Sequence, residues 1–577
     1  MKKWIALILC LCLAAGAVPA MAEEVPDIKY SEVPFYFLDT EKTGDLNVFF
    51  IGDSDVPYVS LEDWTEILTT VMKVAYMDMG ISFNLRYTSE GQVGILTRED
   101  NYTMVVDCEK DTITFLDYDA FLRPEKNRNL VDMLTAADST EEKPTLFHRV
   151  AEFSYDRYGK ELVLEAGKYG IDLVMAQNVC LVPLMTLCDF TISGQGMIAS
   201  YTIDKVIIAT SSQLEDENNQ ITAMGELFRS GEQGPVSTAA ADYNYAELCM
   251  VFDYMYGLKD AHGFTSFDAL VDELGLRDAL KNTEPEVSDV ALWKLIAQDL
   301  DDQHSAVSML SYRIDEKILE KLKEEGPSGF SGRAFTQHQN DYKKARETFY
   351  PGGVPAYEEV GNTAYITFDE FIKEKEQTYY YSNAPTENEK DTIGIMLYAY
   401  SQIMREGSPV ENVVLDLSNN IGGSAEAAAA VLGAFLGDGY ISVKNTMTGA
   451  ISTAVFNVDM NLDHRFDEED FGLLGKKLFC LTSPVSFSCG NLVPSVFKNS
   501  HRVTLIGDTS GGGSCVVLPL ASLVGTVFQI SSPFRISFSK NGSFYDTDLG
   551  VEPDFPIVNE VFLYDRPALT EYINNLK

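Results

Sequence analysis

The sequence predicts an α/β core at its C-terminal end, preceded by a small helical bundle and, before that, a β-rich α+β domain. Three observations lead there. From residue 356 onward, apolar strands at 412–417 and 478–481 each run into a glycine- or serine-bearing turn and then into helical spacing, the alternation of a mainly parallel sheet. Between 240 and 325 apolar residues recur every three or four positions. From 23 to 235 short alternating strands dominate instead.

With 577 residues, 45% of them hydrophobic and 11% aromatic, the chain has ample core for several domains. Its net charge of -43, from 87 acidic and 44 basic residues, argues against a nucleic-acid partner, which needs a basic surface. Calcium, cationic peptides or plain solubility fit that charge. Lys2 and Lys3, an apolar run over 4–18 and Ala20-Met21-Ala22 have the form of an export signal cleaved after Ala22. That run is short for a membrane span, and no later segment has 18 uninterrupted apolar residues. The expectation is a mature protein without a membrane span, secreted or otherwise extracytoplasmic. Its cysteines, 108, 180, 188, 249, 480, 489 and 515, are odd in number and contain no CxxC, so neither a zinc site nor a dense disulfide framework is expected. Buried free thiols are.

Within 23–235, the stretch Val56-Pro57-Tyr58-Val59-Ser60-Leu61-Glu62-Asp63-Trp64 is echoed by Val182-Pro183-Leu184-Met185-Thr186-Leu187-Cys188-Asp189-Phe190. Two related βα units would produce this, and chance agreement at a few positions would too. No catalytic constellation stands out here, and a binding or scaffolding role is the expectation. The bundle at 240–325 closes on Asp301-Asp302-Gln303-His304-Ser305. A lone histidine near a helix end is more often a satisfied cap or core residue than a catalyst. A Gly-, Ser- and Pro-containing stretch at 326–355 is expected to be a linker.

In the core, 356–577, Ser418-Asn419-Asn420-Ile421-Gly422-Gly423-Ser424 separates an apolar strand from an alanine-rich helix. Paired glycines there let backbone approach a ligand and aim N–H groups at an anion; a tight turn explains them equally. In the stretch 477–516, Ser486 and Ser488 sit between a strand and a helix. A serine at such a junction exposes its hydroxyl beside the unpaired N–H groups of the helix's first turn, so nucleophile and oxyanion donors can share one turn. Simple helix capping is the other reading of these serines.

Taken together, five segments in order resemble the C-terminal-processing (tail-specific) and tricorn-type serine peptidases. DDQHS at 301–305 is similar to their D-D-x-H-[ST], DLSNNIGGS at 416–424 to D-L-R-x-N-x-G-G, SFSCGN at 486–491 to the serine motif, GDTSGGGS at 507–514 to G-E-x-T-x-G-x-G, and GVEPD at 550–554 to G-[IV]-x-P-D. The resemblance covers roughly 243 to the C-terminus and implies a crotonase-like α/β core that cleaves peptides through a serine acyl-enzyme. It places the nucleophile on Ser488, with Cys489 at the family's alanine and Asn491 at its glutamate. The lysine base of the tail-specific branch would fall on Gly513, which takes no proton, so the histidine-base, tricorn-like branch fits, with His304 as base. Asp546 or Asp548 would complete the site, and backbone N–H groups of Gly422 or Gly423 and of Cys489 would form the oxyanion hole. No cofactor is required by this chemistry. The partner implied is a peptide or protein substrate, and the span from His304 to Tyr357 is too short and polar for a PDZ domain to bind it. Recognition would then fall to the N-terminal region or the core's own cleft. The alternative is a catalytically inactive peptide- or ligand-binding protein on the same fold.

One further motif lies within the core. Asp459, Asn461, Asp463, Asp467 and Asp470 follow calcium-loop spacing at positions 1, 3, 5, 9 and 12, although position 6 is His464 in place of glycine. An acidic solvated hairpin is the competing reading.

Overall fold

The computed structural model describes residues 27–576 except 76–80, 89–91, 123–146, 177, 217–219, 232–233, 316, 319–320, 322–329, 376–377 and 558. The export signal expected at 1–22 lies outside the described residues.

The core is built on a six-stranded sheet in the order Tyr357–Val360, Thr363–Thr367, Asn412–Asp416, Lys477–Thr482, Val503–Gly507, Phe555–Pro556. Its first pairing is antiparallel and the other four are parallel. Thr363–Thr367 and Asn412–Asp416 are buried along their whole length, which is why they read as continuous runs in place of an alternation. Successive parallel strands are joined through the helices Thr392–Ile403, Ala425–Leu436 and Cys489–Ser500. Ala425–Leu436 is buried on every side, and its alanines form helix at the lowest conformational cost. Parallel connection brings the turns 417–424, 483–488 and 508–514 to one edge, the strands' C-terminal ends.

A second six-stranded sheet crosses the boundaries expected from the sequence. Its path is Ala306–Met309, Val527–Ser537, Gly439–Asn445, Ile451–Val458, His148–Arg157, with Cys515–Ala521 also paired to Val527–Ser537. His148–Arg157 comes from the N-terminal region and Ala306–Met309 from the end of the bundle, so 235 and 325 do not separate independent sheets. The stretch 326–355, expected to be a linker, contains the helix Phe330–Glu347. That helix is anchored where Arg346 donates to both oxygens of Asp369, each at 2.6 Å, and where Tyr342 and Ala345 are buried.

The N-terminal region holds a seven-stranded sheet and a five-stranded antiparallel one. Both echo segments are strand-to-helix units: Tyr58–Ser60 enters Leu61–Ala75, and Val179–Pro183 enters Leu184–Thr191. Their strands pair antiparallel with Val59 opposite Val182, and Trp64 Nε1 donates to Thr191 Oγ1 at 3.2 Å. The bundle's helix Pro285–Lys294 widens over Leu295–Asp299, with the Leu300 N–H donating to the Leu295 carbonyl. Such wide turns redirect a chain abruptly, and His304 follows five residues after Asp299.

A buried ion pair fixes the strand end that feeds the first glycine turn. Asp416 accepts from Arg566 Nη2 at 2.5 Å, and from the Ser418 N–H and Oγ at 2.9 and 2.6 Å. The Arg566 guanidinium also lies over the Tyr365 ring, 4.4 Å from its centroid. Removing one partner of a buried pair strands the other charge. Asp416→Ala should therefore destabilise the fold by about 3–5 kcal/mol, read as a lower urea midpoint at unchanged m-value; a loss under about 1 kcal/mol would contradict this role.

Candidate active site

The ends of three adjacent strands are tied together by one buried amide. Asn420 donates from Nδ2 to the Phe368 carbonyl at 3.0 Å and accepts the Gly422 N–H on Oδ1 at 2.9 Å. Its own N–H donates to Leu417 O, and its carbonyl accepts the Phe487 N–H at 3.1 Å. The C-terminal ends of three adjacent strands thus converge on a single side chain and its peptide groups.

Of the two serines at the strand-to-helix junction, Ser486 is structural: its buried hydroxyl donates to Leu417 O at 2.7 Å and accepts the Ser483 N–H. Ser488 is partly exposed and does not cap its helix with its side chain. Its backbone lies at φ 55°, ψ −120°, a conformation that costs a residue with a Cβ roughly 1–3 kcal/mol. The surroundings hold it there, since its N–H donates to Gly512 O and its carbonyl accepts the N–H groups of Asn491 and Leu492. Gly422 is required beside it, because a Cβ there would stand 2.6 Å from the Ser488 Cβ.

The oxyanion donors differ in part from expectation. The Gly422 N–H is already bonded to Asn420 Oδ1, so Gly422 contributes space and not a donor. The N–H groups of Gly423 and Cys489 have no acceptor among the described residues. Cys489 Sγ donates to the Gly423 carbonyl at 3.2 Å, holding those two peptides side by side. Two free donors beside a nucleophile are what a tetrahedral oxyanion needs.

His304 and Ser488 line the same cleft of about 600 Å³, together with Gly423, Trp293, Phe335 and Val517. No hydrogen bond joins their side chains; such contacts commonly tighten when substrate binds. The imidazole is buried against the Phe487 ring, centroids 4.6 Å apart. Burial lowers the pKa of His304, and the carboxylates of Asp302 and Asp548 oppose that shift. The His304 peptide is fixed at both ends, its N–H on Asp302 Oδ1 at 3.0 Å and its carbonyl accepting from Gln529 Nε2 at 2.8 Å. Gly513 has φ 78°, and a Cβ on it would lie 2.4 Å from the Phe487 ring. A lysine at 513 has no room; Phe487 occupies that space and bears on the histidine instead.

Asp546 and Asp548 separate clearly. Asp548 accepts the Ser514 N–H and Oγ at 2.8 and 3.1 Å, and its charge acts on His304. Asp546 is paired with Arg535 at 2.6 Å and more than half exposed, so it supports Asp548, whose N–H it accepts at 3.0 Å. Asp302, one of the acids flanking His304 in the DDQHS segment, is the other carboxylate acting on the imidazole. Asn491, at the family's glutamate, is a buried brace that donates to Thr547 O at 2.9 Å and accepts from Ser510 Oγ at 2.7 Å.

In the loop expected to bind calcium, side-chain oxygens are bonded to the loop's own backbone. Asp459 accepts the N–H groups of Asp463 and His464 and the Tyr381 hydroxyl. Asp470 accepts from Met460 and Asp467, Asp467 from Glu469, and Asn461 from the Asp463 N–H. Oxygens that would converge on a cation are turned onto the loop's own backbone. Among the described residues, no group of three or more His, Cys, Asp or Glu side chains is arranged to hold a metal ion.

Residues 362–557 match the model of Peptidase family S41. Over this segment the chain is similar to the serine-type peptidases of that family. A Chlamydia pneumoniae protein, CPj1016/CpB1054, is 29% identical over 113 residues, a match spanning 18% of this chain and 16% of that protein. Among solved structures, a putative peptidase from Parabacteroides merdae is 16% identical, covers 59% of this chain and 96% of its own, and has a TM-score of 0.40. Mature CPAF complexed with lactacystin is 12% identical over 58% of this chain and 97% of that one, with a TM-score of 0.36.

The strain at Ser488 has a measurable consequence. Glycine relieves a positive φ that alanine retains. Ser488→Gly should therefore be about 1 kcal/mol or more stable than Ser488→Ala by chemical denaturation; equal stabilities would show that the residue is not strained.

Proposed function

We propose that the protein is an exported serine peptidase that hydrolyses peptide bonds through an acyl-enzyme on Ser488, with His304 as general base. The observation that supports this most directly is the cleft itself: a strained, partly exposed serine, two free N–H donors from Gly423 and Cys489, and a histidine on one wall. His304 accepts the Ser488 proton as the hydroxyl oxygen attacks the substrate carbonyl. The oxyanion forms against Gly423 and Cys489, the imidazolium returns its proton to the leaving amine, and the same base then activates water for deacylation. Asp548 stabilises the imidazolium through its charge, as does Asp302. Apolar side chains on the cleft wall, Trp293, Phe335, Ile421 and Val517, supply surface for a peptide without a separate binding domain. Export rests on the basic and apolar N-terminal segment with its Ala20-Met21-Ala22 end.

A fluorophosphonate probe tests the nucleophile. Wild type should label covalently, Ser488→Ala should not label at all, and His304→Ala should label at least 100-fold more slowly, roughly the contribution of a general base. Absence of label on wild type, when a control serine peptidase reacts, points instead to a catalytically inactive binding protein.

The pH profile follows from the burial of His304. The base works only when neutral, and its lowered pKa keeps it neutral at more acidic pH than an ordinary histidine. The acid limb of kcat/KM should have its midpoint below about 6.5, the unperturbed histidine value. A midpoint at or above that would contradict a desolvated base.

A further inference from the structure

Two cysteines far from the active site stand close enough to react with each other. Cys108 follows the strand Tyr102–Asp107 of the five-stranded sheet, and Cys180 lies in the strand Val179–Pro183 of the seven-stranded sheet. They are 72 residues apart in sequence, yet their sulfurs are 2.9 Å apart. Backbone bonds hold both in place: the Cys108 N–H donates to Gln92 O at 3.0 Å, and the Cys180 N–H to the Tyr87 hydroxyl at 3.2 Å. The remaining described cysteines, 188, 249, 480, 489 and 515, are each buried, and none has a second sulfur within bonding reach among the described residues.

We propose that Cys108 and Cys180 form a disulfide that staples the two N-terminal sheets when the protein meets a small-molecule disulfide oxidant. A disulfide needs the sulfurs at about 2.05 Å, so the remaining gap is about 0.9 Å, closed by a small side-chain rotation. Cys108 is partly exposed and Cys180 buried, which orders the steps. The Cys108 thiol loses its proton and attacks one sulfur of oxidised glutathione, breaking its S–S bond and releasing one glutathione thiolate. The Cys180 thiol then loses its proton and attacks the Cys108 sulfur of the mixed disulfide, releasing the second glutathione. The protein loses two protons and two electrons, and one glutathione disulfide takes them up to become two thiols. The hydrogen bond with the Cys108 sulfur, and then burial, hold the Cys180 thiol well above the ordinary cysteine range, consistent with its acting second. The pairing departs from the free thiols expected from cysteine count and spacing, because it joins residues that only the fold brings together. It is independent of the peptidase reading.

The test is a thiol count and cross-link map on the purified protein, equilibrated in oxidised or in fully reduced glutathione, then unfolded and alkylated. The oxidised sample should show two fewer alkylated thiols, and proteolysis should yield one intramolecular cross-linked peptide pair joining 108 to 180. Its Tm should exceed that of the reduced sample by on the order of 5 °C, since closing a loop this long restricts the unfolded chain. Cys108→Ser and Cys180→Ala should each abolish the thiol difference and the Tm difference. An unchanged thiol count, a cross-link to any other cysteine, or one between two molecules would overturn the proposal. The wild-type map decides this even where a variant folds poorly.

Discussion

The site depends on the four hydrogen bonds made by Asn420. A buried amide has little tolerance for a lost partner, because each unsatisfied group costs its full desolvation penalty. Here every group of Asn420 is engaged: the side chain reaches the Phe368 carbonyl and the Gly422 N–H, and the peptide reaches Leu417 and Phe487. The consequence runs outward from that residue. With the Gly422 N–H satisfied by Asn420, Gly423 is the next donor along the chain, and with the Phe487 N–H held, the backbone enters Ser488 in its strained conformation. One amide thereby sets the placement of Ser488 and of the Gly423 N–H together.

The histidine reaches the site by a different route. His304 follows the widened end of a bundle helix and precedes Ala306–Met309, which pairs with Val527–Ser537 in the second sheet. Asp302, which accepts the His304 N–H, also accepts from Ser531 on that same long strand at 3.1 Å. His304 is thus positioned by the second sheet, Ser488 by the first. The second sheet contains a strand from the N-terminal region, His148–Arg157, so that region is part of the framework around the cleft and not an appended module.

Much of this was legible in the chain. The parallel core followed from strand, turn and helix in repeated order, because buried parallel strands leave continuous apolar runs and their crossovers leave helical periodicity. Ser488, His304 and the glycine pair were identifiable because five motifs fell in one order, and the absence of a lysine at Gly513 directed attention to the histidine. Several features lay beyond local pattern. The Gly, Ser and Pro content of 326–355 reads as a linker, whereas the helix Phe330–Glu347 is held by Tyr342, Ala345 and the Arg346–Asp369 contact, which are tertiary. The acidic loop at 459–470 has cation-loop spacing, but spacing does not record where the oxygens point, and they point to backbone N–H groups. Which glycine N–H is left without an acceptor, and which of Asp546 and Asp548 acts on His304, depended on hydrogen bonds between segments distant in sequence.

The central claim is that Ser488 attacks while Gly423 and Cys489 receive the developing charge. It is tested most directly by a crystal structure of the protein with a peptidyl boronate bound. The account predicts a tetrahedral boron bonded to Ser488 Oγ, one boronate oxygen about 2.7–3.1 Å from the Gly423 and Cys489 nitrogens, and the His304 ring within hydrogen-bond reach of the adduct. A boronate bonded to another residue, or one whose oxygen faces away from both nitrogens, would contradict it.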